Sequence, residues 1–270
     1  MVKVLILGST GMLGNAVAKY FLSLPNFKTY ITHRSKLKLN SDSLHFDALT
    51  DDLENLPDVD YIINCIGVIK PFMVNKLSDS IYLNSIFPRK LANHCQETHT
   101  RLIHITTDCV FSGQEGSYSE DSLHDALDEY GKSKSLGEPD NCMVLRTSII
   151  GKEIHKDASL IAWAVSQKGN NVNGYTNHLW NGITTIQYAK CCESIINKNL
   201  YQIGIRHIFS NFITKYDLLQ LISKTLDLDL KVSKFETVQK CDRTLSTTFG
   251  LNKELNIPPL STQIEELNNG

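Results

Sequence analysis

Val2-Lys-Val-Leu-Ile-Leu7 is a nearly continuous apolar run, which fits a strand buried on both faces of a sheet. From Met12 to Leu24 the apolar positions recur at helical spacing and stop before Pro25, which cannot continue a helix. Strands follow near Thr29 to His33, Leu44 to Phe46 and Tyr61 to Asn64, then a helix from about Leu77 to Gln96. Strand Arg101 to Thr106, a helix carrying Tyr130 and strand Met143 to Arg146 complete the series. Such β/α alternation predicts the α/β class, a doubly wound parallel sheet covered by helices on both faces. Beyond Gly151 the pattern loosens, with helices expected at Ser159 to Gln167, Ile186 to Asn197 and Lys215 to Leu226, and short strands near Arg206 to Phe209 and Leu230 to Val232. The expected organisation is a first domain over 1–150 and a smaller C-terminal substrate lobe over 151–270, with parts of 180–200 packing back on the first.

At 270 residues and 41% hydrophobic, the chain can bury a full core. A formal charge of -2 gives no basic field for phosphate backbones or anionic lipid, so neither nucleic acid nor membrane is expected as a partner. There is no basic segment leading into an apolar stretch at Met1, and the expected location is the cytoplasm. The seven cysteines show no C-x-x-C spacing, which predicts reduced thiols, and the nine histidines show no H-x-x-x-H or H-E-x-x-H pattern, so no metal site is expected.

The first strand runs into Gly8-Ser-Thr10-Gly11-Met12-Leu13-Gly14, three glycines at a strand-to-helix turn. Glycines there let backbone approach a pyrophosphate, and the helix start offers free N–H groups to its charge. This turn is the expected cofactor cradle. After the second strand, where an NAD-selective site usually places a carboxylate, the chain has Arg34 and Ser35 instead. A guanidinium fork and a hydroxyl suit a 2′-phosphate, which favours NADP(H); the alternative is that Arg34 and Lys36 lie on a solvated loop and NAD is accepted. Asp47 and Ala48 follow the third strand and fit an adenine-edge contact, though a plain surface carboxylate fits as well.

Tyr130-Gly-Lys-Ser-Lys134 places a phenol and an ammonium on one helix face. A cation beside a phenol stabilises its anion and lowers its pKa, so Lys134 is expected to tune Tyr130 as a proton donor to a carbonyl, with Thr107 bonding the same oxygen.

Through the glycine turn, Thr106-Thr107-Asp108 and Tyr130 to Lys134, the first 150 residues resemble the extended short-chain dehydrogenase/reductase superfamily. The whole length is similar to the dTDP-4-dehydrorhamnose reductase group of nucleotide-sugar 4-ketoreductases, on Thr107-Asp-Cys-Val-Phe-Ser-Gly113, Tyr130-Gly-Lys-Ser-Lys-Ser-Leu-Gly-Glu138 and Asp242-Arg243-Thr-Leu-Ser246-Thr247. The resemblance implies a Rossmann-type domain binding NADP(H), a C-terminal lobe clasping a nucleotide diphosphate sugar, and a homodimer as the family's habit. It implies catalysis by Thr107, Tyr130 and Lys134, substrate contacts from Asp108 and Arg243, and a cofactor cleft lined by Cys65, Gly67 and Asn84.

One departure stands out, since the rhamnose reductases typically carry Tyr two positions after the catalytic Thr and this chain carries Cys109. Thr-x-Cys resembles GDP-fucose synthases and plant epimerase/reductases, in which the cysteine works in epimerisation beside a 4-keto group. A thiol can exchange the protons that the ketone acidifies at C3 and C5. An acid/base group on the opposite face is then required: His155 first, with Lys156 and His178 behind it. Asn177-His-Leu-Trp180-Asn181-Gly-Ile-Thr-Thr185 resembles a subgroup associated with UDP-linked N-acetylated 6-deoxy-L-sugars. Trp180 offers a flat face for a ring and Asn181 an amide for sugar or diphosphate oxygens; equally, the motif reads as a turn packing Trp180 into the lobe. The expected activity is reduction of a nucleotide-linked 4-keto-6-deoxyhexose with C3 epimerisation. The alternatives are a regulatory NADP-binding subunit, as in relatives that accompany methionine adenosyltransferase, and a pure epimerase.

Overall fold

A computed structural model of the protein describes residues 1–34, 42–153 and 159–269. Its central elements in chain order are β1 (Val2–Leu7), α1 (Met12–Leu22), β2 (Phe27–His33), β3 (Ser43–His45), β4 (Tyr61–Asn64), α2 (Phe87–Glu97), β5 (Arg101–Thr107), α3 (Glu129–Leu136), β6 (Met143–Thr147), α4 (Thr185–Asn197) and β7 (Gly204–His207). The strands form one seven-stranded sheet in the order β7-β6-β5-β4-β1-β2-β3. Every pairing in it is parallel.

The two faces follow from the period of two along each strand. Val4 and Ile6 of β1 face a core shared with Val17 and Phe21 of α1 and with Tyr188, Cys192 and Ile195 of α4. Leu5 and Leu7 face the opposite core, with Phe87, Leu91 and Cys95 of α2. Because β1 is apolar at nearly every position, it fills both layers, which fixes it at the centre.

The long helix read over Leu77 to Gln96 is interrupted. Leu77–Ile81 is α-helical, Tyr82–Ile86 forms a π turn, and α2 resumes at Phe87 with Pro88 in its first turn. Proline has no N–H to give and its ring crowds the carbonyl four residues back, here Asn84, so the helix widens by one residue at that point.

After β6 the chain leaves the sheet, returns to it as β7, and leaves again. The second body contains α5 (Lys215–Thr225), α6 (Leu260–Asn269), a three-stranded sheet of Ile213–Thr214, His178–Trp180 and Cys241–Asp242, and a parallel pair, Asn171–Tyr175 with Lys231–Phe235. Its core is Ile161, Trp180, Leu218, Ile222, Leu260 and Ile264. No helix among the described residues is long and apolar enough to cross a membrane.

Candidate active site

Strand order reverses at β1. The chain winds outward through β2 and β3, then crosses to β4 and winds the other way, so the crossovers part at the carboxyl ends of β1 and β4 and leave a crevice. Gly8 ends β1 there with φ +80°, and a Cβ on it would lie 3.0 Å from the Ile66 side chain after β4. A Cβ on Gly14 would lie 2.1 Å from the Gly8 carbonyl oxygen, so only glycine lets α1 start this close to the turn. The turn is fixed from below by Gly8 N donating to Thr32 Oγ1 at 3.1 Å and Ser9 Oγ donating to the Thr32 carbonyl at 2.7 Å. Helix α1 has Gly11 as its N-cap, no side chain capping it and no acid in its first turn, so its first N–H groups face the crevice uncompeted. Such a cradle fits an anionic pyrophosphate.

Next along the sheet edge, β5 ends at Thr107, which caps the short turn Asp108–Val110. Its hydroxyl accepts from Cys109 N and donates to Asp108 Oδ1, both at 3.1 Å. Tyr130 on α3 stands close enough to this turn that Thr107, Cys109 and Asp108 all act on its phenol. Helix α3 is started by Asp128, whose Oδ1 accepts from Gly131 N at 2.8 Å. A Cβ on Gly131 would lie 2.3 Å from the Cys109 carbonyl oxygen, so the glycine after Tyr130 lets the helix press against the Thr107 turn. The glycine therefore sets the distance between the phenol and the threonine.

Lys134, one turn further along α3, is 5% exposed, and its Nζ donates to the Ile105 carbonyl of β5 at 3.0 Å. Burial lowers its amine to about 8, with Glu138 acting in the opposite direction. Burial raises the Tyr130 phenol, aided by the neighbouring Cys109, Asp108 and Asp128, while Thr107 acts against the rise. The expectation that Lys134 makes Tyr130 unusually acidic is therefore corrected: the ammonium is engaged with a backbone carbonyl, and desolvation governs the phenol. In this setting Tyr130 keeps its proton throughout the neutral range.

The second body closes the site. Asp108 is 4% exposed; burial raises its carboxyl, and Arg243 and then Lys215 oppose the rise. Burial and Asp108 push the Cys109 thiol up to about 12, again against Arg243. Arg243 Nε donates to the Phe111 carbonyl at 2.9 Å, and its segment is zipped to the Thr107 loop by Asp242 N donating to Gly113 O and Ser246 N to Tyr118 O, both at 2.7 Å. Thus the two sequence motifs, 107–113 and 242–247, form one wall. Beside it a cavity of about 540 Å³ opens between Trp163, Tyr175, His178, Asn171, Asn173 and Lys215.

Several residues singled out from sequence play other parts. Trp180 is 3% exposed within the second core, and Asn181 is 5% exposed, its Nδ2 donating to Leu245 O at 2.8 Å and its Oδ1 accepting from Leu245 N at 2.9 Å. The motif is a packed turn, with the Trp180 ring in the second core and the Asn181 amide bonded to the Leu245 backbone. Asn84 has no exposed surface: its amide accepts from Val68 N and donates to Val68 O and Ser133 Oγ, so it clamps the cleft wall to α3. Leu13 is buried in the first core and offers the cleft only its backbone, whereas Thr10 and Gly11 are exposed and Met12 is half-buried. Asp47 Oδ1 accepts from Leu49 N at 3.1 Å in a local turn over buried Ala48. Cys65 is half-buried just after β4, and exposed Gly67 lies beside Asn84 and Lys134. Arg34 is exposed at the end of β2; Ser35, His155 and Lys156 lie outside the described residues. His178 lines the cavity and is hydrogen-bonded to Thr237 Oγ1 at 2.9 Å. Sequence reasoning missed Lys215, for a lysine at the start of a helix reads as a solvated end.

Sheet, crevice and cluster define a Rossmann-like α/β protein. The family model described as the RmlD substrate binding domain matches residues 2–246, and the chain belongs to that family. It is 26% identical over 249 residues to methionine adenosyltransferase 2 subunit beta of Mus musculus, covering 84% of this chain and 72% of that one. With the dTDP-4-dehydrorhamnose reductase of Aggregatibacter actinomycetemcomitans it shares 25% identity over 63% of this chain and 54% of the other. The crystal structure of a dTDP-4-dehydrorhamnose reductase from Bacillus anthracis in complex with NADP superposes with a TM-score of 0.74 at 18% identity, covering 99% of this chain and 98% of that one.

Proposed function

We propose that the protein is an NADPH-dependent reductase of the C4 ketone of a nucleotide-linked 4-keto-6-deoxyhexose. The observation that carries this reading is the grouping of Thr107, Tyr130 and Lys134, with α3 pressed on the Thr107 turn at Gly131 and Lys134 Nζ held on the Ile105 carbonyl, at the same sheet edge as the glycine cradle. NADPH, when bound, supplies the hydride that adds to C4. Gly8 to Gly14 and the start of α1 hold its pyrophosphate, and Arg34 its 2′-phosphate. Tyr130 donates its proton to the ketone oxygen, Thr107 fixes that oxygen by a hydrogen bond, and Lys134 presents its ammonium to the cofactor's ribose. The test is consumption of NADPH with dTDP- and UDP-linked 4-keto-6-deoxyhexoses; a folded, NADPH-binding protein that reduces neither contradicts the reading.

Lys134 gives this function a pH signature. Its amine sits near 8, below the usual lysine value, so the ammonium is present below that pH and lost above it. Turnover at saturating NADPH is expected to fall as pH rises through about 8, and a profile flat to pH 10 contradicts a role for the charge.

The finer reading is a UDP-linked 2-acetamido substrate, epimerised at C3 before reduction, supported by Thr107-Asp-Cys109 and by the likeness of 177–185 to the N-acetylated subgroup. A thiol raised to about 12 is protonated at neutral pH, so Cys109 would return a proton to C3 on one face after a base on the other, His155 in the sequence reading, has taken the original one to form the enolate. In D2O the wild-type product is expected to carry deuterium at C3, and Cys109→Ala to lose the label while still consuming NADPH. A product without deuterium removes epimerisation.

A second reading is favoured by the 26% identity to methionine adenosyltransferase 2 subunit beta over 84% of this chain. A regulatory subunit predicts a stoichiometric complex with a methionine adenosyltransferase in sedimentation and no ketone reduction. A pure epimerase predicts that NADP(H) is recovered unchanged after turnover.

A further inference from the structure

Lys215 opens α5 at its first position, with Thr214 as the cap. The positive end of a helix is where a cation is least favoured, so helix stability does not explain a lysine there. Its Nζ lies 4.7 Å from the centre of the Trp180 ring. Among the described residues that ammonium donates no hydrogen bond and forms no ion pair within 4 Å. It lines the 540 Å³ cavity on one side, and on the other it shares its electrostatic surroundings with Asp108, Cys109, Cys241 and Arg243. Arg243 uses Nε on the Phe111 carbonyl and makes no other hydrogen bond among the described residues. Two cations with unused donors therefore stand between an aromatic and amide-lined cavity and the Thr107–Tyr130 pair.

We propose that Lys215 binds the diphosphate bridge of the sugar nucleotide, so that the base and ribose occupy the cavity beside Trp163, Tyr175 and Asn173 while the sugar reaches Tyr130. This rests on the reading of the substrate as a nucleotide diphosphate sugar and adds a residue and an orientation to it. A half-buried ammonium at a cavity wall, with no hydrogen bond or ion pair among the described residues, has donors free for an anion from the ligand. Burial lowers the Lys215 amine, which Asp108 opposes, in keeping with a group that awaits a stronger negative neighbour. Trp180 supports the stem of Lys215 from beneath and holds the amine at the cavity mouth.

The experiment is calorimetric titration of the full chain with UDP, dTDP, GDP, uridine, thymidine and NADPH. At least one diphosphate is expected to bind, and Lys215→Gln to weaken it at least tenfold, with nucleoside and NADPH binding unchanged and Lys215→Arg restoring most of the loss. Unchanged diphosphate affinity in Lys215→Gln overturns the proposal, and so does a wild-type protein that binds no diphosphate. If Lys215→Gln fails to bind NADPH and has unfolded, the wild-type series decides: the diphosphate must exceed its own nucleoside at least tenfold and lose that margin at high salt, and equal affinities overturn the proposal. Should Lys215-dependent diphosphate binding be found without ketone reduction, the reductase reading fails and this site stands.

Discussion

Tyr130→Phe is expected to lower kcat for ketone reduction by about 10²- to 10⁴-fold, the range over which a positioned general acid contributes. The reason is that burial beside Cys109 and Asp108 keeps the phenol protonated, and the close approach of α3 to the Thr107 turn at Gly131 places it at the sheet edge where the carbonyl must lie. The substitution removes one oxygen and leaves Thr107 with its bonds to Asp108 and the Cys109 N–H, so the turn and the fold persist. NADPH affinity and the thermal midpoint should change little. A Tyr130→Phe enzyme with wild-type kcat refutes the assignment of the proton to this residue.

The largest expected effect on stability is at Arg146, which has no exposed surface. Its Nε and Nη2 bond the two carboxylate oxygens of Glu138 at 3.0 and 2.6 Å, while Nη1 reaches His207 Nε2 and Nη2 reaches His124 Nε2, each at 2.8 Å. Burial and the guanidinium hold His207 down to about 4, so it accepts from Arg146 as the neutral ring. Arg146→Met leaves the Glu138 carboxylate buried without a counter-charge, and urea unfolding is expected to show a loss of about 3–5 kcal/mol. Glu138 lies two residues beyond the end of α3, so kcat should fall as well, through displacement of Tyr130 and Lys134. Combining Arg146→Met with Glu138→Leu removes both charges and should recover most of the loss, because an apolar pair needs no partner. A double variant as unstable as Arg146→Met would place the cost in lost packing, not in the stranded charge.

How much of this was legible in the sequence depended on how local the signal was. The strand Val2–Leu7, its glycine turn and α1 could be read because period, turn residues and the stop at Pro25 lie within one stretch of chain. Thr107, Tyr130 and Lys134 could be marked because each lies at a strand end or on a helix face, and a parallel sheet collects such ends on one edge. Trp180 and Asn181 were not decidable, since their partners, Leu245 and the second core, come from segments far along the chain. The edge strand Gly204–His207 was visible as a strand, but its pairing with Met143–Arg146 depends on a long excursion that no local pattern encodes. The effect of Lys134 on Tyr130 was misjudged because spacing on a helix gives proximity and says nothing of the Ile105 carbonyl that takes the ammonium.

The central claim, a hydride delivered to a sugar ketone as Tyr130 supplies the proton, is tested most directly with NADPH deuterated at the transferable nicotinamide position. After turnover of a UDP- or dTDP-linked 4-keto-6-deoxyhexose, proton NMR is expected to show deuterium at C4 of the product, with none transferred by Tyr130→Phe on the same timescale. A product carrying hydrogen at C4, or a cofactor that keeps its deuterium while the sugar is transformed, would contradict it.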